Sequence, residues 1–195
     1  MIRRATTPAL FASALCLAFA AVTTGRLRAQ DIPTAFVRSP ATACWSSYDE
    51  TADLVPVGPD VAGRTQRLRP EAAAAWRGMQ RAAKADGVTL LLVSAFRSVD
   101  EQRQIFERKL RAGQTLEDIL AVNVPPGFSQ HHTGAAIDLG TPGSTALLED
   151  FGQTAAFRWL RAHAQDHGFS LSYPRGNASG LNYEPWHWAF GAFSR

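Results

Sequence analysis

The sequence predicts an α+β fold in which a small antiparallel sheet is flanked by helices. Two observations support this prediction. Segments with helical and strand-like patterns follow one another in the order helix, strand, helices, strand, helix, strands, without the regular alternation of a parallel sheet. The last two strand-like segments, within residues 169–190, are joined by a polar loop, as in a hairpin. A doubly wound parallel fold is therefore not expected.

Residues 1–29 have the pattern of an export signal. Two arginines precede an apolar run over residues 9–22, which is too short to span a bilayer or to act as an uncleaved anchor. Small residues fit cleavage after residue 20 or after residue 29. We therefore expect an exported protein, periplasmic or secreted, that has no stable membrane span after the signal is removed.

Charge and cysteine content exclude several classes of function. The chain has 20 Lys and Arg against 17 Asp and Glu, but residues 1–29 hold four arginines and no acid, so 16 basic residues remain after cleavage. The resulting net charge of −1 gives no reason to expect a nucleic-acid partner. Cys16 leaves with the signal, so Cys44 has no disulfide partner in its own chain. A zinc site with cysteine ligands is excluded, and Cys44 is expected to pack as a small apolar residue.

Residues 30–69 are rich in Pro, Thr, Ser and Arg, which predicts a loop-rich N-terminal arm. At most one short strand is expected there, near residues 44–48 or 54–57. The domain proper is assigned to residues 70–195. It begins with a helix over Pro70–Asp86, because proline suits a first turn, the alanine-rich run favours helix, and the following glycine ends it.

A buried strand and two helices follow in the predicted order. Residues 88–93 (VTLLLV) are typical of a buried strand. A capping-box pattern then predicts a helix over residues 99–112, and a shorter helix is expected over residues 116–121. Residues 124–127 (VPPG) must form an irregular loop, which leads into the most informative part of the chain.

The second half of the chain alternates short strands with one helix. The pattern predicts a strand over residues 136–139, a turn over 141–145, and a helix over 153–167. Two further strands are expected, over 169–173 and 186–190.

Two clusters contain the residues suited to metal chemistry, namely 129–138 (SQHHTGAAID) and 184–188 (EPWHW). A histidine and Asp138 from the first cluster, with His187 from the second, make three ligands. Glu184 is then left to act on a bound water, which is the inventory of a catalytic zinc site. Asp138 among apolar neighbours would also be costly without a cation. Either His131 or His132 could be the remaining ligand, and the residues alone leave that choice open.

A second histidine pair needs a separate interpretation. His163 and His167 are four residues apart on a predicted helix, a spacing that can bind zinc. The glutamate that a zinc-peptidase helix carries after its first histidine is replaced by Ala164. We therefore expect a structural role for both, with His167 favoured in the last helical turn by the helix dipole.

Arg97 follows the strand predicted over residues 88–93, and Gln102 lies one turn into the next helix. An arginine in such a place can polarise a carbonyl or bind a carboxylate. The alternative is a surface ion pair of Arg97 with Asp100 or Glu101.

Four separated motifs resemble, in their order, the VanY-type D-alanyl-D-alanine carboxypeptidases, zinc peptidases that share their fold with the hedgehog signalling domain. The motifs are residues 94–98 (SAFRS) with Gln102, 129–138 (SQHHTGAAID), 172–174 (SYP) and 184–188 (EPWHW). The resemblance covers about residues 54–190. It implies a hedgehog/D-Ala-D-Ala peptidase-like fold.

The resemblance also implies roles for individual residues. Zn²⁺ would be held by His131, Asp138 and His187, with Glu184 as the catalytic base. Arg97 would stabilise the developing oxyanion or bind substrate, and the two residues expected near the terminal residue of the substrate are Ser129 and Gln102. The chain departs from the family at Phe96, where tyrosine is usual, and at residues 189–190, where Arg-Tyr is usual. These departures bear on substrate preference.

The function implied is that of an exported zinc-dependent carboxypeptidase that removes the C-terminal D-alanine of peptidoglycan stem peptides. An L,D-carboxypeptidase or a peptidoglycan endopeptidase would use the same zinc site. A non-catalytic wall-binding or zinc-storage domain is a more distant alternative. Glu184 argues against it, because a structural site has no need of a free carboxylate beside an open position.

Overall fold

The structure, a computed structural model, describes residues 45–191. The predicted export signal, Cys44 and the first part of the N-terminal arm lie outside the described residues. Within that range the chain forms helices and short strands. They are β1 (Val55–Pro59), β2 (Thr65–Leu68), α1 (Pro70–Ala85), β3 (Leu91–Ser94), α2 (Val99–Arg111), α3 (Leu116–Val122), β4 (Ala136–Gly140), α4 (Ala155–His163), β5 (Phe169–Leu171) and β6 (His187–Phe190).

The central sheet has four strands in the order β3-β4-β6-β5, and every neighbouring pair is antiparallel. This confirms the predicted α+β class with a small antiparallel sheet. The hairpin-like connection expected within residues 169–190 is also present, since Phe169 pairs with Phe190. β4 lies in the interior of the sheet and is buried along its whole length, so a side chain from its middle is shielded from water on both sides.

A second, two-stranded sheet was missed by the sequence prediction. At most one short strand was expected before residue 70, whereas β1 and β2 form an antiparallel hairpin. It is joined to the rest of the domain, because the amide of Phe96 donates to the carbonyl of Arg67 (3.0 Å) and Leu68 is fully buried. Proline and glycine in β1 hide the alternating pattern that would have indicated a strand.

α1 shares the hydrophobic core of the central sheet. Its Ala72, Trp76 and Met79 are fully buried in the same cluster as Ile137 of β4 and Trp188 of β6. Trp76 is the largest of the fully buried side chains between residues 45 and 191. Burial of such a side chain contributes on the order of 1.5–3 kcal/mol. The core therefore fixes the strands from which the site residues project.

Several element boundaries differ from those predicted. β3 begins at Leu91 rather than at residue 88. The helix expected over residues 153–167 is shorter, because α4 is flanked by two 3₁₀ turns, Glu149–Gln153 and Ala164–His167. The side chain of Thr154 caps α4 by accepting from the amide of Phe157 (3.1 Å), so the regular helix begins only after it. No helix between residues 45 and 191 is long and apolar enough to cross a membrane.

Candidate metal centre and active-site cavity

The register of β4 and β6 places Asp138 directly opposite His187. Because paired residues of neighbouring strands project to the same face of a sheet, two side chains that are 49 residues apart in the sequence come into contact. The Oδ1 atom of Asp138 lies 3.0 Å from Nδ1 of His187, and both side chains are about 5% exposed. The two halves predicted from separate motifs therefore form one cluster.

His131 approaches the same carboxylate from a 3₁₀ turn, Gln130–Thr133, that precedes β4. Its Nδ1–H donates to the carbonyl of Ala95 (2.5 Å), which leaves Nε2 directed at Oδ2 of Asp138 (3.2 Å). Gly134 ends the turn with φ of 64°, and a Cβ there would lie 3.0 Å from the amide nitrogen of Arg69. Glycine is therefore required where the chain turns from His131 into β4.

The three side chains could hold a metal ion, since one ligand atom from each of His131, Asp138 and His187 lies within 4.8 Å of the others. Burial lowers the pKa of His131 to about 4, although Asp138 opposes that shift. Burial acts to raise the pKa of Asp138, but the two histidines outweigh it and hold the pKa below the ordinary value. A neutral imidazole and an ionised carboxylate are the protonation states that a metal requires. Two nitrogens and one oxygen fit a catalytic zinc site.

His132 does not take part in this cluster. Its ring is fully buried on the other side of the turn, where Nδ1–H donates to the carbonyl of Arg97 (2.7 Å). Its Nε2 accepts from the amide of Gly127 (3.1 Å). Both ring nitrogens are thus used by the backbone, and His132 holds the loop before the turn against the segment that carries Arg97. Of the two adjacent histidines, it is His131 that the structure places with Asp138 and His187.

Gln130 is a site residue that the sequence analysis missed. Its Oε1 lies 2.9 Å from Nε2 of His187 and also accepts from the hydroxyl of Ser172 (2.7 Å). With Nε2 of His187 occupied by this oxygen, Nδ1 is the ring nitrogen left beside Asp138 for a metal ion. No sequence pattern indicated Gln130, which was visible only as the residue between Ser129 and His131.

Arg97 lies at the edge of the cluster. Its Nη2 is 3.7 Å from Oδ2 of Asp138, and its Nη1 donates to Oε1 of Gln102 (2.6 Å). Gln102 is itself fixed, because its Nε2 donates to the carbonyl of Val124 (2.6 Å). The guanidinium is thus held over the centre by a neutral amide.

The surface ion pair considered as the alternative for Arg97 is not formed. Asp100 instead pairs with Arg103. Glu101 closes the capping box of α2 by accepting from the amide of Ser98 (2.8 Å). Both acids are therefore engaged in the first turn of α2.

Glu184 is buried beside the cluster, with 8% of its surface exposed. Burial raises the pKa of Glu184 to about 7, while the neighbouring His187 opposes the shift. Its backbone is anchored on both sides of the site, since its amide donates to the carbonyl of Tyr173 (3.1 Å) and its carbonyl accepts from the amide of His187 (3.1 Å). A carboxyl group with a pKa near neutrality is suited to accept and return a proton.

All seven predicted site residues line one cavity of about 710 Å³. They are Gln102, Arg97, Ser129, His131, Asp138, Glu184 and His187. Ser129 has a structural role as well, because its hydroxyl accepts from the amide of His131 (3.4 Å) at the start of the 3₁₀ turn. Tyr173 also lines the cavity, with its ring centroid 4.9 Å from that of His187.

The second histidine pair lies elsewhere and packs against an aromatic side chain. The rings of His163 and His167 lie 4.9 and 6.4 Å, centroid to centroid, from Trp159, whose Nε1–H donates to Asp86 (2.7 Å). Neither histidine lines the 710 Å³ cavity. This arrangement agrees with the structural role predicted for the pair.

Comparison with known proteins gives a consistent result. A family model described as VanY, D-alanyl-D-alanine carboxypeptidase, matches residues 65–193. The putative carboxypeptidase YodJ of Bacillus subtilis (strain 168) is 37% identical over 125 residues, which are 62% of this chain and 45% of YodJ. The chain thus spans about half the length of this curated relative.

Two solved structures resemble the fold. The LdcB LD-carboxypeptidase superposes with a TM-score of 0.65 at 32% identity, covering 72% of this chain and 69% of LdcB. A mutant of the vancomycin resistance D,D-pentapeptidase VanY, from a VanB-type cassette and in complex with Zn(II), superposes with a TM-score of 0.57 at 25% identity. That match covers 74% of this chain and 80% of VanY.

Proposed function

The chain belongs to the VanY family of D-alanyl-D-alanine carboxypeptidases, and from this premise we propose that it is an exported, zinc-dependent carboxypeptidase acting on peptidoglycan stem peptides. The reaction proposed is removal of the C-terminal D-alanine. One observation carries the proposal beyond metal binding. The buried carboxyl group of Glu184 lies in the same cavity as the three residues that could hold a metal ion, and it is not one of those three.

His131, Asp138 and His187 would hold the zinc ion, and two hydrogen bonds keep the imidazoles in the orientation this requires. Ala95 accepts from one ring and Gln130 from the other. When bound, zinc would supply a lowered pKa for a coordinated water and polarisation of the scissile carbonyl. The chemical steps assigned to the chain itself involve other residues.

Glu184 is assigned the proton transfers. With a pKa raised by burial, its carboxylate takes the proton from the attacking water and returns it to the departing amine of D-alanine. The guanidinium of Arg97, held by Gln102, lies where it can stabilise negative charge that develops on the carbonyl oxygen. Because Glu184 and the three ligands are each at most 8% exposed, these charges act in a medium of low polarity.

The same site could cleave a tetrapeptide stem, which would make the protein an L,D-carboxypeptidase. The likeness to the LdcB LD-carboxypeptidase, at 32% identity, supports this second candidate. An endopeptidase that cuts cross-links would use the same groups. These activities differ in the peptide that enters the cavity, not in the residues described so far.

Hydrolysis of defined stem peptides would test the proposal. Purified protein that starts at residue 30 is incubated with pentapeptide, tetrapeptide and cross-linked stems, and the products are identified by mass spectrometry. We expect loss of one D-alanine from the pentapeptide, no reaction after chelation, and recovery on addition of zinc. Release from the tetrapeptide alone would establish the L,D-carboxypeptidase instead. Failure of the zinc-loaded protein to cleave any of the stems would overturn the proposal.

Export is a separate part of the proposal and rests on the predicted signal in residues 1–29. The N-terminus of protein expressed from the full sequence in a bacterial host is determined by mass spectrometry after cell fractionation. We expect a chain that starts at residue 21 or 30 in the periplasm or medium. A chain that keeps Met1 and stays inside the cell would contradict export.

A further inference from the structure

The basic residues of α2 differ in whether they have acidic partners. Arg103 pairs with Asp100 and with Glu107 (2.6 Å), and Arg111 lies 3.8 Å from the same glutamate. These ion pairs follow i,i+3 and i,i+4 spacings along the outside of the helix. Asp100 and Glu107 are thus paired with Arg103 and Arg111, and the other two basic residues of the helix take no part in these ion pairs.

Those two cations, Arg108 and Lys109, both line the active-site cavity. No carboxylate of residues 45–191 lies within 4.0 Å of either charged group, and neither side chain makes a hydrogen bond to that part of the chain. Lys109 is half-buried, and burial lowers the pKa of its ammonium, although the carboxylate of Glu184 opposes that shift. A positive charge in such a place is costly unless an anion joins it.

The remaining cations of the cavity are already engaged. Arg97 is bound to Gln102 and faces Asp138, while Arg64 forms an ion pair with Asp60 (2.8 Å). Lys109 and Arg108 are thus the cavity-lining cations that have no partner among the described residues. Their position on α2, the helix that also carries Gln102, puts them on the same wall of the cavity as a predicted substrate contact.

We propose that Lys109, with Arg108 beside it, binds a carboxylate of the substrate peptide. This inference rests on the proposed function and adds a determinant of specificity to it. Stem peptides offer carboxylates of two origins, the free C-terminus that a carboxypeptidase must recognise and carboxylates on residues further upstream. A lysine ammonium binds either as a point charge, and a charge-assisted hydrogen bond in a half-buried place is strong.

The first test compares the kinetics of two lysine variants with those of a matched control. Lys109→Met removes the charge while keeping an unbranched side chain, and Lys109→Arg restores a charge. Arg111→Met removes a charge of the same helix whose partner is Glu107 outside the cavity. With zinc-loaded protein and stem pentapeptide, we expect Lys109→Met to raise KM by about 10- to 100-fold with a smaller change in kcat. Lys109→Arg should recover most of the loss, and Arg111→Met should leave KM unchanged.

The second test identifies which carboxylate is bound. Wild type and Lys109→Met are compared on a stem peptide with a free C-terminus, on its C-terminal amide, and on a stem whose upstream carboxylate is amidated. If the C-terminus is the ligand, amidating it should abolish the difference between the two proteins. If the upstream group is the ligand, only the second amidation should do so. A difference that survives both amidations would overturn carboxylate recognition by Lys109.

Other outcomes also decide the matter. An unchanged KM in Lys109→Met, or an equal rise in Arg111→Met, would overturn the inference, because the effect would be absent or would come from the general field of the helix. Thermal unfolding of each variant shows whether it is folded, and Lys109→Gln serves as the second neutral variant if the methionine variant is not. Wild-type hydrolysis of the unmodified stem is scored first, so failure of the proposed function is distinguished from failure of this inference.

Discussion

The Oε1 atom of Gln130 accepts a hydrogen bond from Nε2 of His187 at 2.9 Å, on the side of the imidazole opposite to Asp138. This relationship determines which ring nitrogen faces the metal centre. Because Ser172 donates to the same oxygen, the amide of Gln130 is held with its oxygen, not its nitrogen, toward the histidine. Partners of this kind orient metal ligands and raise their basicity.

Replacing Gln130 should therefore weaken zinc binding. We expect Gln130→Ala to lower zinc affinity by about 10- to 100-fold, measured by competition with a chromogenic chelator. Gln130→Glu keeps an acceptor oxygen and should retain most of the affinity. If the alanine variant binds zinc as tightly as wild type, the hydrogen bond does not position His187.

Glu184 should be needed for turnover and dispensable for zinc. In Glu184→Gln the three ligands are untouched, so we expect one equivalent of zinc by metal analysis and a loss of kcat of about 10²- to 10⁴-fold. His163→Ala, which changes a histidine outside the cavity, is the matched control and should keep both zinc and activity. Turnover at the wild-type rate in Glu184→Gln would show that another group is the base.

The raised pKa of Glu184 predicts the acidic side of the pH profile. The base acts in its ionised form, so kcat/KM should be full above the pKa of Glu184 and fall by about tenfold per pH unit below it. Burial raises this pKa from 4.5 to about 7, and a bound divalent cation lowers it from there. When kcat/KM is measured over a series of buffers, we expect its acidic limb to have a midpoint at a pH between 4.5 and about 7. A profile in which activity rises on acidification would contradict the assignment.

Asp60, in the turn between β1 and β2, should make the free energy of unfolding depend on pH in the acidic range. The carboxylate of Asp60 accepts from the amides of Ala62 (2.8 Å) and Arg64 (3.0 Å) and from the side chain of Gln66 (2.8 Å). Burial acts to raise its pKa, but these bonds and Arg64 outweigh it and the pKa is lowered from 3.8. Asp60 therefore stabilises the folded protein fully at pH values above 3.8, its pKa in the unfolded chain. This contribution is lost as the pH falls through the lower pKa that Asp60 has in the folded protein.

Asp60→Asn should remove that contribution. We expect a loss of about 1–3 kcal/mol in the free energy of unfolding at pH 7, measured by urea denaturation. The stability difference between variant and wild type should narrow toward pH 3, where most of Asp60 is protonated in the unfolded chain. A gap that is the same at both pH values would mean that the charge of Asp60 contributes nothing.

The parts of the fold that were predictable are those with a local cause. A proline in the first turn marks the start of α1, a capping box marks the start of α2, and a glycine follows the last turn of each, because the backbone groups at a helix end need partners close in sequence. The β1–β2 hairpin was missed because its stability comes from contacts with residues 95 and 96 and from the burial of Leu68, which are distant in sequence.

The site residues also fall into those that the sequence could indicate and those that depend on distant contacts. Residue types and spacing sufficed to propose Asp138, His187 and a histidine, but adjacent histidines cannot be separated by spacing. The 3₁₀ turn separates them, since it directs His131 toward Asp138 and His132 toward the backbone of Arg97. The contact of Gln130 with His187 depends on the packing of two distant segments, for which the sequence offers no local signal.

The pairing of Asp138 with His187 also makes the metal centre sensitive to the alignment of β4 and β6. If β6 slipped by one residue, its side chains would exchange faces, and Trp188 would take the place of His187 beside the carboxylate. A cation would then bind only to chains whose strands are correctly aligned and would raise their share of the population. A metal ion at this centre would thereby also favour the correct alignment of β4 and β6 during folding.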